Sequence, residues 1–297
     1  MDHSPTINSN KFWDDFSHSA YPNKITSIEI IHRFRAFSIF FHQLPKSELI
    51  KRGWLSGSND MSSLASIFFD LSPINNCSLF RKSASAREPL LVVWLSKVKL
   101  HAEQIYARQM PEKFDSLNKS DLRQLAQLSP DPLIIKSLPE ILAKLGVILI
   151  YLPALSGMKA DGAVFKINSG NPVVALSLRF PRLDNFWFTL MHELAHLVLH
   201  ADLLNEAIVV DLENDDESTV EKSANRVAKE AFVDRISWRN CEPKYQSNDD
   251  SVVRYAESQG IHPSIVAGML RRESGDYRKY SSIINEHNVK SILESHD

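Results

Sequence analysis

The spacing of apolar residues changes at about residue 146 of the 297-residue chain. Up to Lys144 the apolar positions recur at helical intervals, in one segment at Ile28, Ile31, Phe34 and Phe37 and in another at Leu90, Val93, Leu95 and Val98. After Gly146 come three β-rich runs, VILIYLPAL, GAVFKI and PVVALSLRF, separated by Gly, Pro, Asn and Asp. The pattern predicts a helical region over 1–145, without a convincing helix-turn-helix, and an α+β domain with a small three-stranded sheet over 146–297.

Helices of different character follow the predicted sheet. The stretch FWFTLMHELAHLVLH, residues 186–200, is apolar nearly all round, which is typical of a buried helix. In VEKSANRVAKEAFV the spacing puts Ala224, Ala228 and Ala231 on one face, where small side chains let a neighbouring helix approach closely. VVRYAESQG and HPSIVAGMLRRE predict two short C-terminal helices, because Gly260 ends the first and Pro263 lies near the start of the second.

The letters HELAH in the buried helix carry the candidate chemistry. Residues four apart project from the same side of a helix, so His192 and His196 can direct imidazole nitrogens at a single metal ion. Glu193 lies about 100° round the helix from His192, which places it near the ion but outside its ligands. A carboxylate there can take a proton from water that the ion activates, since zinc lowers the pKa of such water to about 7.

The alternative for HELAH is a helix whose histidines only pack. For a single histidine we would favour that interpretation. Here two imidazoles and a carboxylate would be buried together, which is unfavourable unless a partner such as a bound cation satisfies them. Composition alone would produce this arrangement in only roughly a few per cent of chains of this size. The combination favours a metal site.

A catalytic zinc needs a third protein ligand besides an open position. His200 cannot be that ligand on a straight helix, because it lies roughly 6 Å along the axis from His196 and about 12 Å from His192. The histidine-only pattern HExxHxxGxxH does not occur, since the helix continues through Leu199 and His200. A carboxylate from a second helix remains, and the downstream acidic residues are Glu206, Asp211, Glu213, Asp215, Asp216, Glu217 and Glu221.

Glu221 is the preferred candidate among these acids. It precedes Ala224 by three residues and Ala228 by seven, so it shares the small-residue face that would pack against the HELAH helix. The alternative is a first-turn glutamate favoured only by the helix dipole. Asn225 is open to two interpretations, a hydrogen bond to a ligand or loop and an ordinary surface position. For His200, packing or support of a ligand is favoured over proton donation.

Charge and cysteine content narrow the class of protein. The formal charge is −2, so there is no overall basic field for phosphates, and DNA binding is not favoured. The two cysteines, Cys77 and Cys241, form no CxxC pair, which fits a reducing compartment. The stretch MDHSPTINSNKFWDDF is unlike a secretory signal, and no apolar run approaches the roughly 18 residues that cross a bilayer. The chain is predicted to be cytoplasmic, with no membrane partner.

Taken together, the motifs resemble the ImmA/IrrE family of metallopeptidase-like proteins. GAVFKINSGNPVVALSLRFPRLDNFWFTLMHELAHLVLH resembles the family's strand, strand and active helix in order; EKSANRVAKEAF resembles its second helix, with the ExxAN signature; and IHPSIVAGMLRRE resembles its closing segment. The likeness runs from about residue 146 to about residue 273. It implies a zincin-like fold with His192, His196 and Glu221 as zinc ligands and Glu193 as the catalytic glutamate.

Three functional hypotheses follow from these observations. The first is a zinc-dependent endopeptidase that hydrolyses a regulatory protein such as a repressor or an antitoxin, as the resemblance implies. The second is a non-catalytic metal-binding regulator or antitoxin-like module that binds protein. The third is DNA binding by the N-terminal helices, although the XRE-type helix-turn-helix found in similar proteins is not evident here. Mn²⁺ and Fe²⁺ remain alternatives to Zn²⁺, because they also accept nitrogen and oxygen ligands.

Overall fold

The computed structural model describes residues 41–57, 60, 88–202, 204, 209–212 and 219–295. By their internal contacts, residues Lys46–Asp297 form one unit, distinct from Met1–Pro45. The helical segment predicted around Ile28 to Phe37 lies outside the described residues. The domain boundary predicted at 145/146 stays a prediction.

The helices of the described residues are listed here in chain order. They are α1 (Lys46–Lys51), α2 (Glu88–Gln109), α3 (Lys119–Ala126), α4 (Leu138–Ala143), α5 (Leu183–His200), α6 (Thr219–Phe232), α7 (Arg235–Arg239), α8 (Asp249–Gln259), α9 (Pro263–Ser274), α10 (Ser281–Ile284) and α11 (Val289–Glu294), with 3-10 turns at Pro132–Lys136 and Glu242–Lys244. Helix α2 confirms the helix predicted from Leu90 to Val98. Among the helices that can be described, none combines the length and apolar character needed to span a bilayer.

A mixed sheet forms the centre of the fold. Its strands are β1 (Ile148–Tyr151), β2 (Ala160–Lys166), β3 (Pro172–Leu176) and β4 (Val209–Leu212), in the spatial order β1-β3-β2-β4. Strand β1 runs parallel to β3, whereas β2 is antiparallel to both β3 and β4. The first three strands are those that the sequence predicts, and the α+β class is confirmed. Strand β4 is an addition that overlaps the start of the acidic run DLENDDES.

Helix α5 packs against one face of this sheet. Val164 of β2 and Val174 of β3 are fully buried in the same core as Leu190 and Leu194 of α5. Burial of each such side chain contributes about 1.5–3 kcal/mol relative to its exposed state. Because successive residues of a strand face opposite sides of the sheet, Gly162 and Val164 face the same side. Helix α5 therefore lies directly over the part of β2 that contains Gly162.

Neighbouring helices enclose α5 on its other sides. The predicted small-residue face of α6 packs along it, with Ala224, Ala228 and Ala231 all buried. Helix α9 packs against its first turn, where Gly268 leaves room for the buried carboxylate of Asp184. Helix α3 also contacts α5, so α5 is covered by the sheet and by three helices, which explains why its sequence is apolar nearly all round. The predicted burial of this helix is confirmed.

Candidate metal centre

The three residues of interest on α5 are enclosed in the protein. His192 has 4% of its surface exposed, and Glu193 and His196 have none. Polar groups buried in this way require partners, because transfer of an unsatisfied polar group from water is unfavourable by several kcal/mol. The partners of the two imidazoles come largely from α6, which runs beside α5.

Glu221, in the first turn of α6, meets both histidines at one point. Its Oε2 lies 3.0 Å from Nε2 of His192 and 3.5 Å from Nε2 of His196. The two Nε2 atoms are 3.1 Å apart, with the ring planes at 80° to one another. Two nitrogens from one helix and an oxygen from its neighbour therefore form a compact triangle of donor atoms, as the sequence predicts.

The size of this triangle fits a divalent ion. Donor atoms bonded at about 2.0–2.1 Å to a tetrahedral zinc are separated from one another by about 3.3 Å. The three observed separations, from 3.0 to 3.5 Å, bracket that value. The donor set of two imidazoles and one carboxylate is also one that zinc accepts in catalytic sites, where a fourth position stays open.

The protonation states favour ligation as well. Burial lowers the pKa of His196 below its usual value, although the hydrogen bond with Glu221 opposes this, so the ring is neutral near pH 7. Burial of the Glu221 carboxyl favours its neutral form, but hydrogen bonds with His192 and His196 outweigh burial and hold its pKa at about 2. Metal ligation requires neutral imidazoles and an ionised carboxylate, so the lowered pKa values of His196 and Glu221 both favour it.

Asn225 supports the ring of His192 from behind. Its Oδ1 lies 3.2 Å from Nδ1 of His192, so the ring can donate Nδ1–H to the amide oxygen. When an ion is bound, that hydrogen bond would favour the tautomer whose Nε2 lone pair is available to the ion. Of the two interpretations left open for Asn225, the structure favours the hydrogen bond to a candidate ligand.

Replacing Asn225 tests this support. Asn225→Ala removes the acceptor for Nδ1–H, so we expect metal affinity to fall about 10–100-fold, as is usual when a histidine ligand loses its outer hydrogen bond. Asn225→Asp keeps an acceptor and should retain the affinity. A competition titration against a chromophoric chelator measures the change, with exposed Arg226→Ala as the matched control. Unchanged affinity in Asn225→Ala would contradict the supporting role.

His200 lies outside the triangle and links the two helices. Its Nε2 is 3.1 Å from Oγ of Ser223, and that hydroxyl donates to the carbonyl oxygen of Val220 at 2.7 Å. The Ser223 oxygen therefore accepts from the ring of His200. This pair fastens the last turn of α5 to the turn of α6 that carries Glu221. The sequence alone does not reveal Ser223, because a serine in a first helical turn has no distinguishing signal.

The other acidic candidates for the third ligand have no described side chains. Asp211 belongs to β4, and its backbone pairs with Gly162 of β2. The remaining five lie outside the described residues: Glu206, Glu213, Asp215, Asp216 and Glu217. Glu221 is thus the acid that the described structure brings to the two histidines.

A second group of candidate ligands, His262, Glu286 and His287, is poorly suited to a metal. Nδ1 of His262 accepts the backbone N–H of Ser264 at 3.1 Å and so caps the first turn of α9. A neutral ring that accepts at Nδ1 carries its proton on Nε2, which then has no lone pair for an ion. Burial, assisted by His287, lowers the pKa of His262 to about 4, so this neutral capping form persists near pH 7. His262 therefore serves as a helix cap rather than as a metal ligand.

Comparison with known proteins agrees with this site. Residues 143–266 match the model of the Peptidase_M78 family, described as the IrrE N-terminal-like domain. The matched range contains the whole sheet, α5 and α6, and therefore His192, Glu193, His196 and Glu221. Searches of curated proteins and of solved structures gave no significant match. The match of residues 143–266 to the IrrE N-terminal-like domain confirms the resemblance to ImmA/IrrE proteins for this part of the chain.

Proposed function

We propose that this protein is a zinc-dependent endopeptidase. The observation that carries the proposal is the convergence of His192 Nε2, His196 Nε2 and Glu221 Oε2 within 3.5 Å of one another, beside the buried Glu193. The match of residues 143–266 to a peptidase family supports hydrolysis of peptide bonds over other reactions at such a site. The roles assigned to these four residues are part of the proposal.

In this proposal His192, His196 and Glu221 hold the ion, and Glu193 handles the proton. A zinc ion bound there supplies a Lewis acid that polarises a carbonyl and lowers the pKa of water to about 7. The carboxylate of Glu193 accepts the proton of the attacking water and returns it to the nitrogen of the departing amine. Its full burial keeps bulk water away from this transfer and strengthens its electrostatic interactions.

The position of the sheet supports an extended peptide as substrate. Gly162 of β2 contacts Glu193 of α5, and within the sheet it pairs with Asp211 of β4. Strand β4 is the last strand on this side of the described sheet, one strand away from the proposed proton acceptor. An extended segment of a protein can add to such an edge through main-chain hydrogen bonds. We propose a regulatory protein, such as a repressor or an antitoxin, as the physiological source of that segment.

The second candidate function is a metal-binding regulator without catalysis. The same donor triangle would serve it, because a structural ion uses the same ligands. The placement of a carboxylate at Glu193, buried beside the triangle, favours the endopeptidase, since a purely structural site has no use for a proton acceptor there. Binding of DNA has no observation in the described residues to favour it.

Metal removal distinguishes the two candidates. We expect the zinc-loaded protein to cleave members of a broad peptide library, to lose this activity on chelation, and to regain it when zinc is restored. Because the ion binds only the folded chain, free zinc at 1,000 times its Kd should also stabilise the fold by about 4 kcal/mol. Zinc-dependent stabilisation without any cleavage would favour the regulator. Cleavage that survives complete chelation would contradict the metallopeptidase.

A further inference from the structure

We propose that Gly162 of β2 is a positioning residue for the carboxylate of Glu193, an inference that rests on the proposed endopeptidase function. A Cβ atom at residue 162 would have three nearest neighbours, and all of them belong to Glu193. The closest is Oε1, and Cδ and Cγ would each be 2.9 Å away. Real Cβ contacts are not this short, so Glu193 lies in space that any side chain at 162 would occupy.

The glycine is not explained by the conformation of the backbone. Gly162 lies outside the left-handed region that favours glycine, in contrast to Gly170, whose φ is +90°. An alanine could therefore adopt the backbone angles of residue 162 without strain. What the site cannot accept is the volume of a methyl group.

The backbone of β2 has little freedom to move away from Glu193. Gly162 pairs with Leu176 of β3 on one side and with Asp211 of β4 on the other. The pairing with β4 also shifts register between Ala160 and Gly162, so the strand is irregular at Asp161. The carbonyl of Asp161 accepts the backbone N–H of Ser177 at 2.9 Å, which ties this irregular point to the chain beyond β3. A methyl group at 162 would thus displace the flexible carboxylate rather than the strand.

Displacement of this carboxylate should affect catalysis while leaving the ligands in place. The proposed ligands are His192 and His196 on α5 and Glu221 on α6. No atom of these three residues is among the three atoms nearest to a Cβ added at residue 162. Misplacement of a reacting group by about 1 Å can lower a rate by about 10²-fold. We expect Gly162→Ala to lower kcat about 10–100-fold with KM and zinc content close to those of the wild type. Gly57→Ala is the matched control, since a Cβ there would meet nothing within 4 Å.

A thermal-unfolding cycle tests the contact independently of activity. In the wild-type background, overpacking at Gly162→Ala should lower Tm by about 3–10 °C. In a Glu193→Ala background, the same substitution should cause little or no loss, because all three neighbouring atoms have been removed.

The outcomes of these experiments are distinct. Wild-type kcat in Gly162→Ala, or the same loss of Tm with and without the Glu193 side chain, would overturn the positioning role. A lower kcat accompanied by an equal loss of zinc would overturn it too, since the ligands would then be disturbed. Absence of cleavage by the zinc-loaded wild type would instead refute the proposed function, and the unfolding cycle would still report on the contact between Gly162 and Glu193.

Discussion

Glu193→Gln is expected to lower kcat for peptide cleavage by about 10²–10⁴-fold while the protein stays folded and loaded with metal. Glutamine has nearly the shape of glutamate, so it should fit against Gly162 in the same buried space. It cannot accept a proton at neutral pH, and the attacking water loses its base. Since Glu193 is not part of the donor triangle, zinc content should remain at one ion per chain.

The measurement compares initial rates on a cleaved peptide with zinc content determined on the same samples. Glu257→Gln, on an exposed position of α8, makes the same chemical change far from any predicted role and should retain full activity. Equal cleavage by Glu193→Gln and wild type would refute the assignment of the proton transfer. Loss of zinc in Glu193→Gln would mean that this residue helps to hold the ion.

Glu221→Ala is expected to abolish metal binding at physiological zinc concentrations. Two histidines would remain, and the carboxylate that completes the triangle at 3.0 and 3.5 Å from their Nε2 atoms would be gone. Loss of an outer hydrogen bond to a ligand already lowers affinity about 10–100-fold, so loss of a ligand should exceed about 100-fold. Cleavage should disappear with the metal, and added zinc should no longer raise Tm.

Glu230→Ala is the matched control for this variant. Glu230 lies on the same helix but is directed at Lys119, with 3.5 Å between Oε2 and Nζ, and exposed pairs of this kind contribute only about 0–1 kcal/mol. Its zinc affinity should equal that of the wild type. Zinc bound by Glu221→Ala with wild-type affinity would show that another group supplies the third ligand.

The triangle of donor atoms is predictable from sequence because helical periodicity is rigid. His192 and His196 must share a face, and Ala224 and Ala228 mark the side of the second helix that can approach it. Glu221 follows from that face. Local spacing does not give the distance between the two helices. The small residues nevertheless show which face of the second helix can approach closely, and this singles out one of the seven acids.

The fourth strand and the room for Glu193 are not predictable in the same way. Strand β4 is short and overlaps an acidic run, so its pairing with β2 depends on long-range contacts rather than on its own pattern. Gly162 begins one of the quoted β-rich runs, but a glycine there has many explanations until the structure shows Glu193 beside it. The partners of His192 and His200, Asn225 and Ser223, likewise become evident only when α5 and α6 are seen side by side.

Crystallography of the zinc-loaded protein, with anomalous data collected on both sides of the zinc absorption edge, would show directly whether an ion occupies the donor triangle. The proposed zinc site requires one strong anomalous peak per chain, at about 2.0–2.1 Å from Nε2 of His192, Nε2 of His196 and a carboxylate oxygen of Glu221. An absence of any peak at these three atoms in protein crystallised with zinc, or a zinc ion held elsewhere while they remain bonded only to one another, would contradict it.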